Sequence, residues 1–138
     1  GQGVDVNYKK AIDWYEKAAE QEHAGAQFNL GVIYDQGHGV DVNYKKAVEW
    51  YKKAAEQEFA NAQRFLGLMY ENGDGVDQSD SMAMRWYAKA AAQGDEDSQT
   101  AISRLVAKRR ESLAAAGSSS GAGDEAGQQT KGKKAGKK

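Results

Sequence analysis

Two histidines, an acidic loop, glycine-bounded turns and a lysine-rich end are the features of this 138-residue chain that could do chemistry. A histidine can act as a general base or a zinc ligand, but only beside a nucleophile, a carboxylate or further ligands. Neither His23 nor His38 has such a neighbour at a repeatable spacing, so no catalytic residues and no metal site are expected. The loop from Glu71 to Asp80, ENGDGVDQSD, has part of the acid spacing of a calcium site. Placing Gly75 at the obligatory glycine puts Asn72 and Asp74 at two chelating positions. The first and last ligand positions then fall on Tyr70 and Ser81, and neither supplies the carboxylate those positions need. The Gly-x-Gly turns (Gly37 to Gly39, Gly73 to Gly75) follow no strand and lack the lysine or third glycine of a phosphate-binding loop. They read as helix terminators. With no cysteine, disulfide and thiolate chemistry are excluded. No cofactor is expected, and the chain does not read as an enzyme.

The remaining charged feature is the terminal KGKKAGKK, Lys131 to Lys138, which could attract nucleic acid or an anionic membrane. No aromatic side chain interleaves with these lysines to stack on bases. The rest of the chain opposes a nucleic-acid footprint: residues 1–116 carry 14 Lys and Arg against 18 Asp and Glu, net −4, and residues 117–138 are net +3. Nucleic acid is therefore an improbable partner. From Gly117 onward there is no aromatic or large aliphatic residue, so residues 117–138 are expected to be a disordered Gly/Ser/Lys-rich tail. No apolar run reaches the roughly 18–20 residues that span a bilayer.

The elements that would position any site come from an internal repeat. GVDVNYKKA occurs at residues 3–11 and again at 39–47, and returns loosely as GVDQSDSMA at 75–83. Residues 1–36 laid over 37–72 give 24 identities. A fixed period of 36 residues marks a repeat array whose units bury their apolar faces on one another. Within residues 24–59, Ala26, Leu30 and Tyr34 fall at helical spacing, and Gly37 to Gly39 breaks the helix. Asn43 stands where an N-cap is wanted, as do Asn7 and Ser79 in the other copies. A second stripe follows in Ala47, Val48, Tyr51, Ala54 and Ala55. Each unit is thus a pair of helices, A then B. Gly31 and Gly67 recur inside helix A despite a cost of about 0.8–1 kcal/mol relative to Ala, which points to close helix approach. Trp14, Trp50 and Trp86 read as the bulky complement in that packing.

Ala26-Gln27, Leu30-Gly31 and Tyr34, repeated as Ala62-Gln63, Leu66-Gly67 and Tyr70, resemble the first helix of the Sel-one-like repeat, a relative of the tetratricopeptide repeat. The Gly37-x-Gly39-Val40 loop and the Lys46 to Gln57 segment complete the likeness over about residues 1–106. Two departures are visible. Glu22 and Glu58 replace the glycine that usually follows AAEQ, which returns only as Gly94, and Asn7, Asn43 and Ser79 replace a capping Asp. The resemblance implies an all-α fold, an αα-superhelix, and a role in holding other proteins together. It also includes a cysteine-rich bacterial branch linked to β-lactams, against which the lack of cysteine argues.

The expected organisation is a solenoid over residues 1–116. It comprises a partial repeat at 1–23, full repeats at 24–59 and 60–95, and a terminal capping helix at 96–116. Arg109 stands where the other A helices end in glycine, so this last helix should run longer. The chain opens within a repeat and reads as a piece of a longer array, whose upstream units would cover Tyr8, Ile12 and Tyr15.

Comparing the copies separates a shared helix-A face (24, 26, 27, 30, 31, 34) from a varying one on the opposite side. Packing repeats in every unit, so the shared face meets other helices. The varying stripe matches, by the resemblance, the concave ligand-facing line of tetratricopeptide-type helices. It runs through Gly25, Phe28 and Val32, then Asn61, Arg64, Leu68 and Glu71, then Asp97, Thr100, Arg104 and Lys108. Exposed Phe28, Val32 and Leu68 beside Arg64 and Arg104 would suit a partner peptide or helix with apolar anchors and an acidic group. The alternative is that this face merely drifts. The chain is accordingly expected to be a non-enzymatic adaptor binding another protein. A polyanion-directed module acting through the lysine-rich end is the second reading, and a β-lactam-hydrolysing enzyme a remote third.

Overall fold

The computed structural model describes residues 2–123, with side chains from 8 to 117. The described residues form α1 (Gln2–Glu20), α2 (Ala24–Gln36), α3 (Tyr44–Glu56), α4 (Ala60–Asn72), α5 (Asp80–Ala92) and α6 (Glu96–Gly123), and no strand. This is the expected all-α helical repeat solenoid. α2, α4 and the start of α6 are the A helices; α1, α3 and α5 are the B helices.

The chain divides into two compact units, residues 1–102 and 103–138. In the first, each helix forms for local reasons that recur at the repeat period. Asn43 accepts a hydrogen bond from the Lys46 amide and Ser79 one from the Met82 amide, satisfying a donor that the first helical turn leaves free. Asn7 does not play this part, because α1 extends back to Gln2 and places Asn7 within the helix. Gly37 and Gly73 end α2 and α4 in left-handed conformation, with φ of 72° and 73°.

The core of the first unit is built from small and aromatic side chains together. Leu30, Leu66, Tyr51, Tyr87, Ala47, Ala54, Ala62, Ala83 and Ala90 are fully buried. The glycines at the A–B crossing have the expected purpose. A Cβ on Gly31 would sit 2.5 Å from Tyr51 ring carbons, and one on Gly67 would sit 2.8 Å from those of Tyr87. The bulky partner is therefore the tyrosine, not the tryptophan before it. Trp50 and Trp86 are half-buried, lying under Lys53 and Lys89 at 5.7 and 5.8 Å, and Trp14 is 67% exposed. One residue along a helix is a 100° turn, which carries the indole off the crossing line.

Ile12 is buried and Tyr8 stacks beside His38 at 5.2 Å between ring centroids, so both are covered from within this chain. Only Tyr15, of the three residues expected to need upstream cover, opens on a depression.

In the second unit, α6 continues past Ala116 as far as Gly123, over the first residues of the tail expected at 117–138. The run Ala114-Ala115-Ala116 before Gly117 is strongly helix-forming, and a single glycine within a helix costs only about 1 kcal/mol. Leu105 is buried, while Ser103, Arg104 and Lys108 to Arg110 are exposed. The lysine-rich end, Lys131 to Lys138, lies outside the described residues.

Candidate functional site

The A helices are held in place by a polar relay through the core. Gln27 and Gln63 have no exposed surface. Gln27 Nε2 donates to the Ala19 carbonyl of the preceding B helix at 3.1 Å, and its Oε1 accepts from Gln57 Nε2 at 2.7 Å. One repeat later Gln63 donates to Ala55 at 3.1 Å and accepts from Gln93 at 2.9 Å. Gln99 begins a third copy by donating to Ala91 at 3.3 Å. A buried amide left unpaired is costly, so each glutamine pins an A helix between two B helices. A second tie closes the other end of the same face. Tyr51 Oη donates to Asp35 at 2.9 Å and Tyr87 Oη to Glu71 at 2.8 Å. Burial first, then the Asp35 charge and this hydrogen bond, push the Tyr51 hydroxyl well above the ordinary tyrosine range.

Against this frame the varying stripe of the first unit divides into engaged and available side chains. Phe28 and Val32 are half-buried and packed on the core instead of freely exposed. Phe28 lies within 5.8 Å of Tyr51, 5.4 Å of Phe59 and 5.1 Å of Phe65, centroid to centroid. Arg64 is likewise engaged: its Nε is buried 3.2 Å from Asp95 Oδ2, at an angle short of a hydrogen bond, and its Nη1 is 3.9 Å from Asp97. Its Nη2 donates to Asn61 Oδ1 at 3.0 Å, and its guanidinium lies over Phe65. Glu71 accepts from Tyr87 and is half-buried. Leu68, Asn61, Asp97 and Thr100 are the exposed members in this unit. Arg104 and Lys108, in the second unit, are also exposed.

Sequence reasoning missed the pairing between copies. Positions 28 and 59 are Phe and Phe in contact, and the matching positions 64 and 95 are Arg and Asp in contact. The joint change from an aromatic pair to an ion pair was visible in the sequence as a coupled substitution between repeats. It also missed Gln57 and Gln93 as relay members.

Among the described residues no group of three or more His, Cys, Asp or Glu side chains is placed to hold a metal ion, and no helix is long and apolar enough to cross a membrane.

The Sel1 repeat profile matches residues 1–23, 24–59 and 60–95. The chain belongs to the Sel1 repeat family. Its repeats are generally non-catalytic protein-interaction scaffolds, and Sel1 repeat proteins bind other proteins. A Sel1 repeat protein from Oxalobacter formigenes is 40% identical with a TM-score of 0.66, over 67% of this chain and 70% of that one. A protective antigen of uropathogenic Escherichia coli strains with an SLR fold is 45% identical with a TM-score of 0.62, over 63% of this chain. The match spans only 19% of that antigen's length. Helicobacter pylori cysteine-rich protein B is 27% identical, with a TM-score of 0.65 over 67% of this chain and 70% of that one. This Sel1 repeat chain has no cysteine. A comparison with curated protein sequences finds no match.

Proposed function

We propose that this Sel1 repeat chain is a non-enzymatic adaptor whose varying helix-A face receives a segment of another protein. The observation that supports this reading is the contrast between repeats. The packing face, with its glutamine relay, Gly–Tyr crossing and Tyr–carboxylate tie, is repeated, while the stripe changes side-chain character from copy to copy at Gly25, Asn61 and Asp97 and at Phe28, Arg64 and Thr100, beside Val32 and Leu68. Leu68, 37% exposed, is the leading apolar anchor. Because Arg64 is already neutralised by Asp95, the partner needs no acidic group at that point. Arg104 and Lys108, exposed in the second unit, are proposed by themselves as further partner contacts.

The test is a crosslinking pull-down from source lysate with the parent chain, a Leu68→Asp/Thr100→Glu variant and a form ending at Ala116. The Arg64–Asp95 pair stays intact in all three, and circular dichroism checks the fold. Partners lost only from the face variant support the adaptor reading. Partners lost only with residues 117–138, and released by salt, would instead support polyanion binding through the five lysines of Lys131 to Lys138.

A further inference from the structure

Charge in the first unit is divided between its two kinds of helix. Residues 1–102 carry 10 Lys and Arg against 17 Asp and Glu, net −7. Nine of those ten bases stand on the B helices, three on α1, four on α3 and two on α5, where they outnumber seven acids. The tenth, Arg64 on α4, is held 3.2 Å from Asp95. The A-helix side, α2, α4 and residues 95–102, sets five acids (Asp35, Glu71, Asp95, Glu96, Asp97) against that one base.

The helix ends sharpen the division. A helix C-terminus carries the negative end of the dipole, roughly half a charge, and is stabilised by a cation. α1, α3 and α5 follow that rule, with Lys17, Lys53 and Lys89 in their last turns. α2 and α4 have no base there and carry Asp35 and Glu71 instead. Each accepts from a buried tyrosine hydroxyl, which fixes the carboxylate without neutralising it. Carboxylate and dipole therefore add at the same end of successive A helices. Each carboxylate also lies one turn beyond an aliphatic residue. Phe28, Val32 and Asp35 fall within about 60° of one another around α2, and Arg64, Leu68 and Glu71 do the same around α4. Leu68 is exposed, and Phe28 and Val32 are half-buried.

We propose, building on the adaptor reading above, that the segment received by this face is cationic as well as apolar. An aliphatic or aromatic side chain rests on Val32 and Leu68, and Lys or Arg side chains reach Asp35 and Glu71. The sequence alone suggested an acidic group opposite Arg64. An acidic segment would instead enter a field of its own sign, which extends about 8 Å into solvent at physiological salt. On α2 and α4 it would meet no base but Arg64, already paired. The chain's own Lys131 to Lys138 has the charge but no large apolar side chain, so it does not meet both requirements.

The test is selection of short random peptides on phage against the 138-residue chain, with counter-selection on the Leu68→Asp/Thr100→Glu variant. That variant is the more acidic, so peptides held by charge alone are removed. Survivors should combine Lys or Arg with large apolar residues. One survivor is then titrated by fluorescence anisotropy into the parent and two double variants whose fold is checked by circular dichroism. Asp35→Asn/Glu71→Gln keeps an acceptor for each tyrosine hydroxyl and should weaken binding about fivefold. Glu49→Gln/Glu56→Gln makes the same charge change at exposed positions of α3 and should alter binding by less than about twofold. Rising salt should weaken binding to the parent itself, a readout that needs no variant. Acidic or uncharged survivors, equal effects of the two double variants, or binding indifferent to salt overturn the cationic partner and leave the adaptor reading standing. Absence of survivors overturns the adaptor reading as well. Binding seen only with a chain ending at Ala116 would put the lysine-rich end on this face, and that also overturns the proposal.

Discussion

Gly31→Ala separates local helix physics from tertiary packing, because the two predict opposite signs. In a helix interior the substitution should stabilise by about 0.8–1 kcal/mol. At Gly31 the new Cβ would lie 2.5 Å from Cδ1 and Cε1 of Tyr51. That ring cannot retreat easily: it has no exposed surface, and its hydroxyl is tied to Asp35 at 2.9 Å. Overpacking of this kind costs roughly 1–3 kcal/mol, and a ring fixed at both ends belongs at the upper limit. The net expectation is a loss of about 2 kcal/mol, equivalent to about 8–16 °C in Tm for a domain near 100 residues. Gly25→Ala is the internal control. It lies in the same helix with nothing within 4 Å of its would-be Cβ, and should be neutral to slightly stabilising. Urea and thermal unfolding followed by circular dichroism at 222 nm report both. A Gly31→Ala chain as stable as the parent would refute the close approach and the reason offered for the recurring glycine.

Glu58 occupies a left-handed conformation, φ 65°, in the position where the family commonly has glycine. Glu58→Gly relieves about 1–2 kcal/mol of backbone strain and adds about 0.4–1 kcal/mol of unfolded-state entropy, so urea unfolding should show a gain of about 0.5–1 kcal/mol. Gln63→Leu removes the partner of the buried Ala55 carbonyl and of Gln93, and should destabilise by about 2 kcal/mol, whereas Gln93→Ala, at an exposed residue, should cost less in the same assay. The Tyr51 hydroxyl, raised by burial and by Asp35, binds its proton more tightly folded than unfolded. The folded state thus holds the extra proton, the stabilisation is complete below the unfolded value near 10, and it is lost as pH rises beyond that. Unfolding midpoints should fall above pH 10 in the parent and fall less in Tyr51→Phe.

What the chain's own order of residues determined is whatever depends on near neighbours or on the repeat. The 36-residue period set the alternation of A and B helices. Asn43 and Ser79 capped the B helices, and Gly37 and Gly73 closed the A helices, because a cap needs only partners three to five residues away. Recurrence marked Gly31 and Gly67 as close-approach points. The tertiary structure alone decided which large residue enters that approach, since Trp50 and Tyr51 differ only by a 100° turn about the helix axis. It also decided that Phe28 and Arg64, read as free anchors, are held by Phe59 and Asp95, which lie 31 residues further along the chain in each case. Such pairs depend on how helices distant in sequence come to lie side by side, and side-chain type without that geometry does not specify them.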